Sequence, residues 1–378
     1  MTITVNLHSG LATWSSGAFA LGQRCATGGN AYQCTTAGAA TAAPTGVGGV
    51  IPVAGGAVFK WLSAIDYTSI VTMTTAFSTT LTDNVNMNIW NDGIIITSDL
   101  VVGATTPGSF VTTMQPAPGE GWKDNVGNGA IGLGSSTRGV MIESQTGYTS
   151  TIKASSVGVA LLGLQISGNN NNYQTLYNNS GNLILDGCII QATSICAKFY
   201  VDSSGGRIIN NVFIAINNIL TVQVELDSLA VGQIFFMNNL VIRPTNFVAG
   251  GIGVDGSASV ISDFSDNAIF GFTVAPTGNT WAGSNNASDV AACIPPGTTG
   301  NLSSAPFTVA TFTQPSAATT LNIRLPISSV LVNAGINNGL VSIDMLGTSR
   351  PQGLTSDIGP FELSAAYIPH TPIVVFFG

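Results

Sequence analysis

The chain has 378 residues, only 7% of them charged, and a formal net charge of −8. Globular chains typically carry about 25% charged residues, so neutral polar groups must coat most of this surface, and ten basic residues scattered from Arg24 to Arg350 leave no positive footprint for nucleic acid. Although 45% of residues are hydrophobic, no apolar run reaches the roughly 18 residues of a membrane-spanning helix. Nor is there a metal-ligand spacing, a phosphate-binding loop or a nucleophile triad, so neither membrane insertion, nor a metal, nor a cofactor is expected.

The opening Met1-Thr2-Ile3-Thr4-Val5 lacks the basic start and apolar core of a secretory signal, which predicts synthesis in a cytosol. Residues 1–62 read as a small β module of short strands between glycine turns. Trp14, Tyr32, Phe59 and Trp61 are its candidate attachment residues. The module is too small to be an independent enzyme, so it serves as an adaptor or, alternatively, caps the open first coil of the repetitive body on its C-terminal side. Cys25 and Cys34 could pair in an oxidising medium, but two reduced thiols are the expectation in a cytosol. The Trp14, Gly22, Tyr32-to-Gly38, Pro44-Thr45-Gly46 and Trp61 pattern resembles the N-terminal modules of tailed-phage virion proteins. That resemblance implies docking to other virion proteins.

Residues 63–135 read as a transition with the first coils, and 136–362 as the main body. There Gly139, Gly163, Gly187, Asn211, Asn239 and Asn267 recur at intervals of 24, 24, 24, 28 and 28 residues. Glycine and asparagine tolerate the left-handed region best, so the column predicts a repeated sharp bend with φ > 0. One place later stand Val140, Leu164, Cys188, Val212, Leu240 and Ala268, and three places later Ile142, Ile166, Ile190, Ile214, Ile242 and Phe270. Alternate strand positions share a face, so these twelve side chains are predicted to point inward. The column between them, Met141, Gln165, Ile189, Phe213, Val241 and Ile269, is then an outward face, covered in part. Asp186, Asn210, Asn238 and Asp266, one place before the bend, read as turn residues. The register predicts an all-β fold, a right-handed parallel β-helix or solenoid, with a small N-terminal β module.

An enzyme built on this scaffold would cut polysaccharide and need paired carboxylates on one face. Glu225 and Asp227 are two apart, and Asp202, Asp227 and Asp255 are spaced by 25 and 28 residues, close to one coil each. Stacked acids also arise on any solvated strand, so catalysis is the weaker reading. Residues 276–300, rich in glycine and proline, read as an excursion from the solenoid. Farther on, Asp344, Gly347, Arg350-Pro351 and Asp357-Ile358-Gly359-Pro360-Phe361-Glu362 resemble the terminal signature of right-handed β-helix repeat proteins, with Pro360 where a small residue is usual. The resemblance implies that Arg350, paired with Asp344, Asp357 or Glu362, closes the last coil. Residues 363–378 form a tail or cap.

The sequence therefore leads to a non-enzymatic structural protein of a tailed-phage virion, a capsid decoration or head-fibre protein on the particle surface. The alternative is a tailspike or receptor-binding protein that binds or cleaves host glycan. A homotrimer fits either.

Overall fold

A computed structural model describes residues 1–97, 99–105, 108–121, 124, 139–144, 150–154, 158–168, 174–178, 182–201, 205–216, 222–228, 233–244, 250–308, 320–321, 324–363 and 375–376. The chain is an all-β parallel solenoid with three faces, its strands too short to bury a core alone and stacked so that each pairs with the equivalent strand one coil on. The first face runs through Thr2–Leu7, Asn84–Ile89, Thr112–Pro116, Val159–Leu162, Leu183–Asp186, Gly206–Ile209 and Ile234–Met237 to the end of Ile252–Ser265, and Gly278–Trp281 pairs beyond it. The second is a nine-stranded sheet from Ile95–Thr97 through Met141–Ser144, Gln165–Gly168, Ile189–Ala192, Val212–Ala215, Leu240–Ile242, Ala268–Phe270 and Ala287–Ser288 to Leu302–Ser303. The third comprises Leu100–Val102, Ile152–Ala154, Gln174–Asn178, Ile195–Val201 and Val222–Ser228, and the long strand Ile252–Ser265 turns the corner to join it to the first.

Alternation decides what lies inside. On Asn84–Ile89, Val85, Met87 and Ile89 are buried while Asn84, Asn86 and Asn88 face out, and Asn88 receives the Gln115 amide of the next rung at 3.1 Å. Interior aromatics stack from coil to coil: Phe213 lies 6.0 Å from Phe236, Phe236 5.2 Å from Phe264, and Phe264 5.1 Å edge-on to Trp281. Offset and edge-to-face contacts of this kind add to simple burial. The helix Ile70–Ala76, capped by the Ser69 hydroxyl, puts Ile70 and Met73 into the interior cluster and plugs the first coil. Trp281 and Cys293 close the other end.

The bend column differs from the expected one by a single residue. Ile189 pairs with Val212 and Ile190 with Phe213, so Gly187 is equivalent to Asn210, not to Asn211. In the bend column φ lies between 53° and 101° at Gly139, Gly163, Gly187, Asn210, Asn238, Asp266, Asn285 and Gly300. Asn211, Asn239 and Asn267 follow the bend instead, at the inner corner occupied by Val140, Leu164 and Cys188 in earlier coils. There they form a ladder with Asn286 and Asn301. Each backbone N–H from Asn211 to Asn286 donates to the next side-chain oxygen at 2.9–3.0 Å. Each of these four side-chain amides bonds a carbonyl of the coil before, Leu185, Ile208, Phe236 and Phe264 in turn, at 2.8–2.9 Å.

A slip of one residue flips every side chain to the other face. Phe213, Val241 and Ile269 therefore point inward, whereas Val212, Ile214, Leu240, Ile242, Ala268 and Phe270, expected inside, face outward. Hydropathy could not reveal this, because both columns are apolar. The outward column is nonetheless buried, since the C-terminal segment 324–363 runs back along it and packs Leu325, Leu331, Met345, Ile358 and Phe361 onto it.

Three expected boundaries also move. Thr2–Leu7 pairs in parallel with Asn84–Ile89 and is the first rung of the solenoid, so the β module is an insertion after that rung. The module pairs Gly17–Phe19 with Gly38–Ala40 and builds a second antiparallel sheet from Arg24–Thr27, Asn30–Thr36, Ile51–Pro52 and Val58–Ala64. Residues 276–300 are no excursion, because Gly278–Trp281 and Ala287–Ser288 continue the first and second faces. Arg350 does bond Glu362 at 3.1 Å in a buried pair, but on the solenoid's flank, where Gly359 N–H donates to the Asp266 carbonyl at 2.8 Å. We call segment 324–363 the clasp. Of the expected tail, residues 364–374, 377 and 378 lie outside the described residues.

Candidate functional site

The densest polar constellation joins module to solenoid. The first rung ends at Leu7 and delivers His8, the module's last strand delivers Ser63, and the turn after Asn84–Ile89 delivers Asp92. His8 Nδ1 lies 2.7 Å from Asp92 Oδ2, and His8 Nε2 lies 2.8 Å from Ser63 Oγ. Arg24 on the module reaches Asp92 Oδ1 at 3.1 Å and Glu120 Oε1 at 2.7 Å, while Glu120 also accepts the Asn91 N–H at 3.2 Å. Burial alone would lower the Arg24 guanidinium, but its bonds to Glu120 and Asp92 outweigh that and hold it above its ordinary value. The Trp90 ring stacks on His8 at 5.0 Å and takes the Arg24 guanidinium at 5.8 Å.

Ser, His and Asp in this order are the pattern of nucleophilic acyl transfer. Access decides against that use here. The His8 and Asp92 side chains are 0% and 1% exposed, Ser63 is buried, and its hydroxyl is 2.8 Å from the Ala64 carbonyl oxygen it can donate to. No substrate carbonyl can come within bonding reach of Oγ. What the network can do is lock two bodies together, because pulling either away leaves buried polar groups without partners. Beside it opens a cleft of about 870 Å³ whose lining includes Gln23, Arg24, Lys60, Trp61, Trp90 and Glu120.

The aromatic residues singled out for attachment form the module's own core. Tyr32 and Phe59 are 1% and 0% exposed, and Trp14 and Trp61 pack half-buried against them. Tyr32 and Phe59 therefore cannot dock on a partner directly, because an isolated sheet of this size must spend its large side chains on itself. Cys25 and Cys34 lie in the same cluster as free thiols, and burial, then the neighbouring Cys34, pushes Cys25 up to about 11.

The acid column is rearranged as well. Glu225 stands between Lys198 and Asp255 in the third-face register, whereas Asp227 is opposite Tyr200, so Asp227 and Asp255 do not stack. The coil here is two residues longer than the spacing assumed. Glu225 is bonded by Lys198 Nζ at 2.6 Å, and Asp255 Oδ1 accepts both the N–H and the hydroxyl of Thr277, at 2.7 and 2.5 Å. Both carboxylates thus hold structure in place. Asp202 lies outside the described residues. Among those described, no group of three or more His, Cys, Asp or Glu could hold a metal ion, and no helix is long and apolar enough to cross a membrane.

Sequence reasoning missed His8, Arg24, Ser63, Asp92 and Glu120. Their separations of up to 112 positions carry no local motif. Scarcity was the available signal, for in a chain with 28 charged residues (10 basic, 18 acidic) each one asks for a partner. Compared with known proteins, the chain matches no family model, no curated protein and no solved structure.

Proposed function

We propose that this chain is a non-enzymatic structural protein of a tailed-phage virion, a capsid decoration or head-fibre protein whose module faces the particle and whose solenoid projects from it. The observation that carries the reading is the junction: His8, Ser63, Asp92, Arg24 and Glu120 fasten the module to the first coils through buried, mutually bonded groups, so module and rod move as one piece. An adaptor that must hold a projecting rod at a fixed angle needs such a joint, and an enzyme domain does not. Nine stacked strands at about 4.8 Å give a rod of roughly 40 Å. The virion assignment rests on the resemblance of residues 14–61 and 344–362 to phage and β-helix proteins. Since Tyr32 and Phe59 are internal, docking falls to the module's outer surface, where Leu21, Val47 and Val50 are 71%, 69% and 76% exposed.

Immunogold labelling of intact particles from the source, with antibody against the solenoid, tests the proposal. Label over the head supports it. Label confined to the tail tip replaces it with the host-binding alternative, and absence of label from every particle removes the virion reading altogether.

A further inference from the structure

The bend column has a second use. From Asn210 onward each of its side chains reaches sideways to the clasp. Asn210 Nδ2 donates to the Ile343 carbonyl at 3.0 Å, Asn238 Nδ2 to the Asp357 carbonyl at 3.5 Å, and Asn285 Nδ2 to the Ala334 carbonyl at 2.9 Å. Asp266 occupies the same slot one coil before Asn285 and works in reverse, its Oδ1 accepting the Ile336 N–H at 3.0 Å while its own carbonyl accepts Gly359 N–H at 2.8 Å. It is the one titratable member of this docking row, and it is 1% exposed. Its second oxygen, Oδ2, is buried with no hydrogen-bond partner.

The geometry points to a pH-sensitive latch: Asp266 holds the clasp as a neutral carboxylic acid, and losing its proton loosens the clasp from the solenoid. Burying an unpartnered oxygen costs far more on an ionised carboxylate than on a neutral acid, and Oδ2 is buried without a partner. The surrounding charge does not compensate. Asp263 on the preceding strand and Glu362 of the clasp both disfavour its charge, and the cation that acts on it, Arg350, is shared with Asp344, Asp357 and Glu362 and is already bonded to Glu362 and to the Asp357 and Gly359 carbonyls. The close fit leaves no room for a rearranged site, because a Cβ on Gly335 would lie 2.8 Å from Asp266 Oδ1 and 2.9 Å from the Ser356 carbonyl.

Burial pushes Asp266 from 3.8 up to about 8, and Asp357 moves in the same direction, to about 6. A raised folded-state value means that the stabilisation is complete below the unfolded value and disappears as pH rises through the folded one. Asp357 is half titrated near pH 6 and has finished contributing by about pH 7, so from about pH 7 to 8 the slope belongs to Asp266. Losing one proton on opening raises the opening constant by up to about tenfold per pH unit in that window.

The test is amide hydrogen exchange at Ile336 and Gly359 in the full chain from pH 6 to 9, corrected for the intrinsic base-catalysed rate, in wild type and in Asp266→Asn. The substitution fits the site, since asparagine occupies the same slot at Asn210, Asn238 and Asn285 with φ of 56°, 53° and 58°. The expected result is a wild-type opening constant that climbs steeply up to about pH 8 and then levels, and one that is flat above about pH 7 in the variant. A wild type that is flat between pH 7 and 8, or equal slopes in the two proteins there, overturns the latch. Should the variant not fold, carboxyl-carbon titration of Asp266 in the wild type decides instead: a midpoint near that of an exposed aspartate overturns it, and one near 8 supports it. The latch does not depend on the virion reading.

Discussion

The coils up to Gly187 and those from Asn210 to Asn285 solve the same corner differently. In the first group glycine makes the bend and Val140, Leu164 or Cys188 fills the inside of the corner with hydrocarbon or thiol. In the second, Asn210, Asn238, Asp266 or Asn285 makes the bend and an asparagine sits inside it, bonded up and down the stack. A glycine bend offers nothing to a neighbour. A polar one does, and it is over the polar bends that the clasp docks. The second group thus carries two apolar layers, one inside the solenoid and one between the solenoid and the clasp, whereas among the described residues the clasp's apolar layer reaches no farther toward the N terminus than Ile189.

The contrast can be broken experimentally. Phe236→Ala removes the middle of the interior stack and should cost about 3–5 kcal/mol, the range for large aromatics in cores, read as the urea midpoint of the whole solenoid. Phe270→Ala, in the outer layer against Phe307 at 5.3 Å, should instead expose residues 324–363 to protease while the coils stay intact. If both variants unfold together, the two layers form a single cooperative unit. Asn239→Ala leaves the Asn211 N–H and the Ile208 carbonyl without partners, at about 1–3 kcal/mol for each buried group so orphaned. His8→Ala strips Ser63 and Asp92 of a shared partner, and the same roughly 1–3 kcal/mol per group should appear as faster exchange at the module's edge with the coils unaffected. Smallest is Gly187→Ala, where φ is 65°. A Cβ in the left-handed region costs about 1–2 kcal/mol, and Gly187→Asn should cost less than Gly187→Ala, because asparagine already fills that slot in the following coils.

Much of this architecture could be read from the residues, and the misreadings share one cause. The recurrence of Gly and Asn at 24 to 28 residues was sufficient for a parallel solenoid, because only stacked, equivalent bends demand it. Assigning the column across the whole body required knowing where one coil is a residue short, and with Val212 and Phe213, or Leu240 and Val241, both apolar, the pattern permits either register. The choice was made by the clasp, which needs an apolar outer face, and by the asparagine ladder, which needs its amides inside.

The junction is a similar case. His8, Ser63 and Asp92 are single residues in three distant segments, brought together only because the chain starts with a rung, leaves to build the module, and returns. Local chemistry thus set the bends, the alternation and the sparse charge. Which side of each strand faces the core, what covers the other side, and which few charges meet depended on contacts between residues dozens to over a hundred positions apart, and no local pattern encodes those.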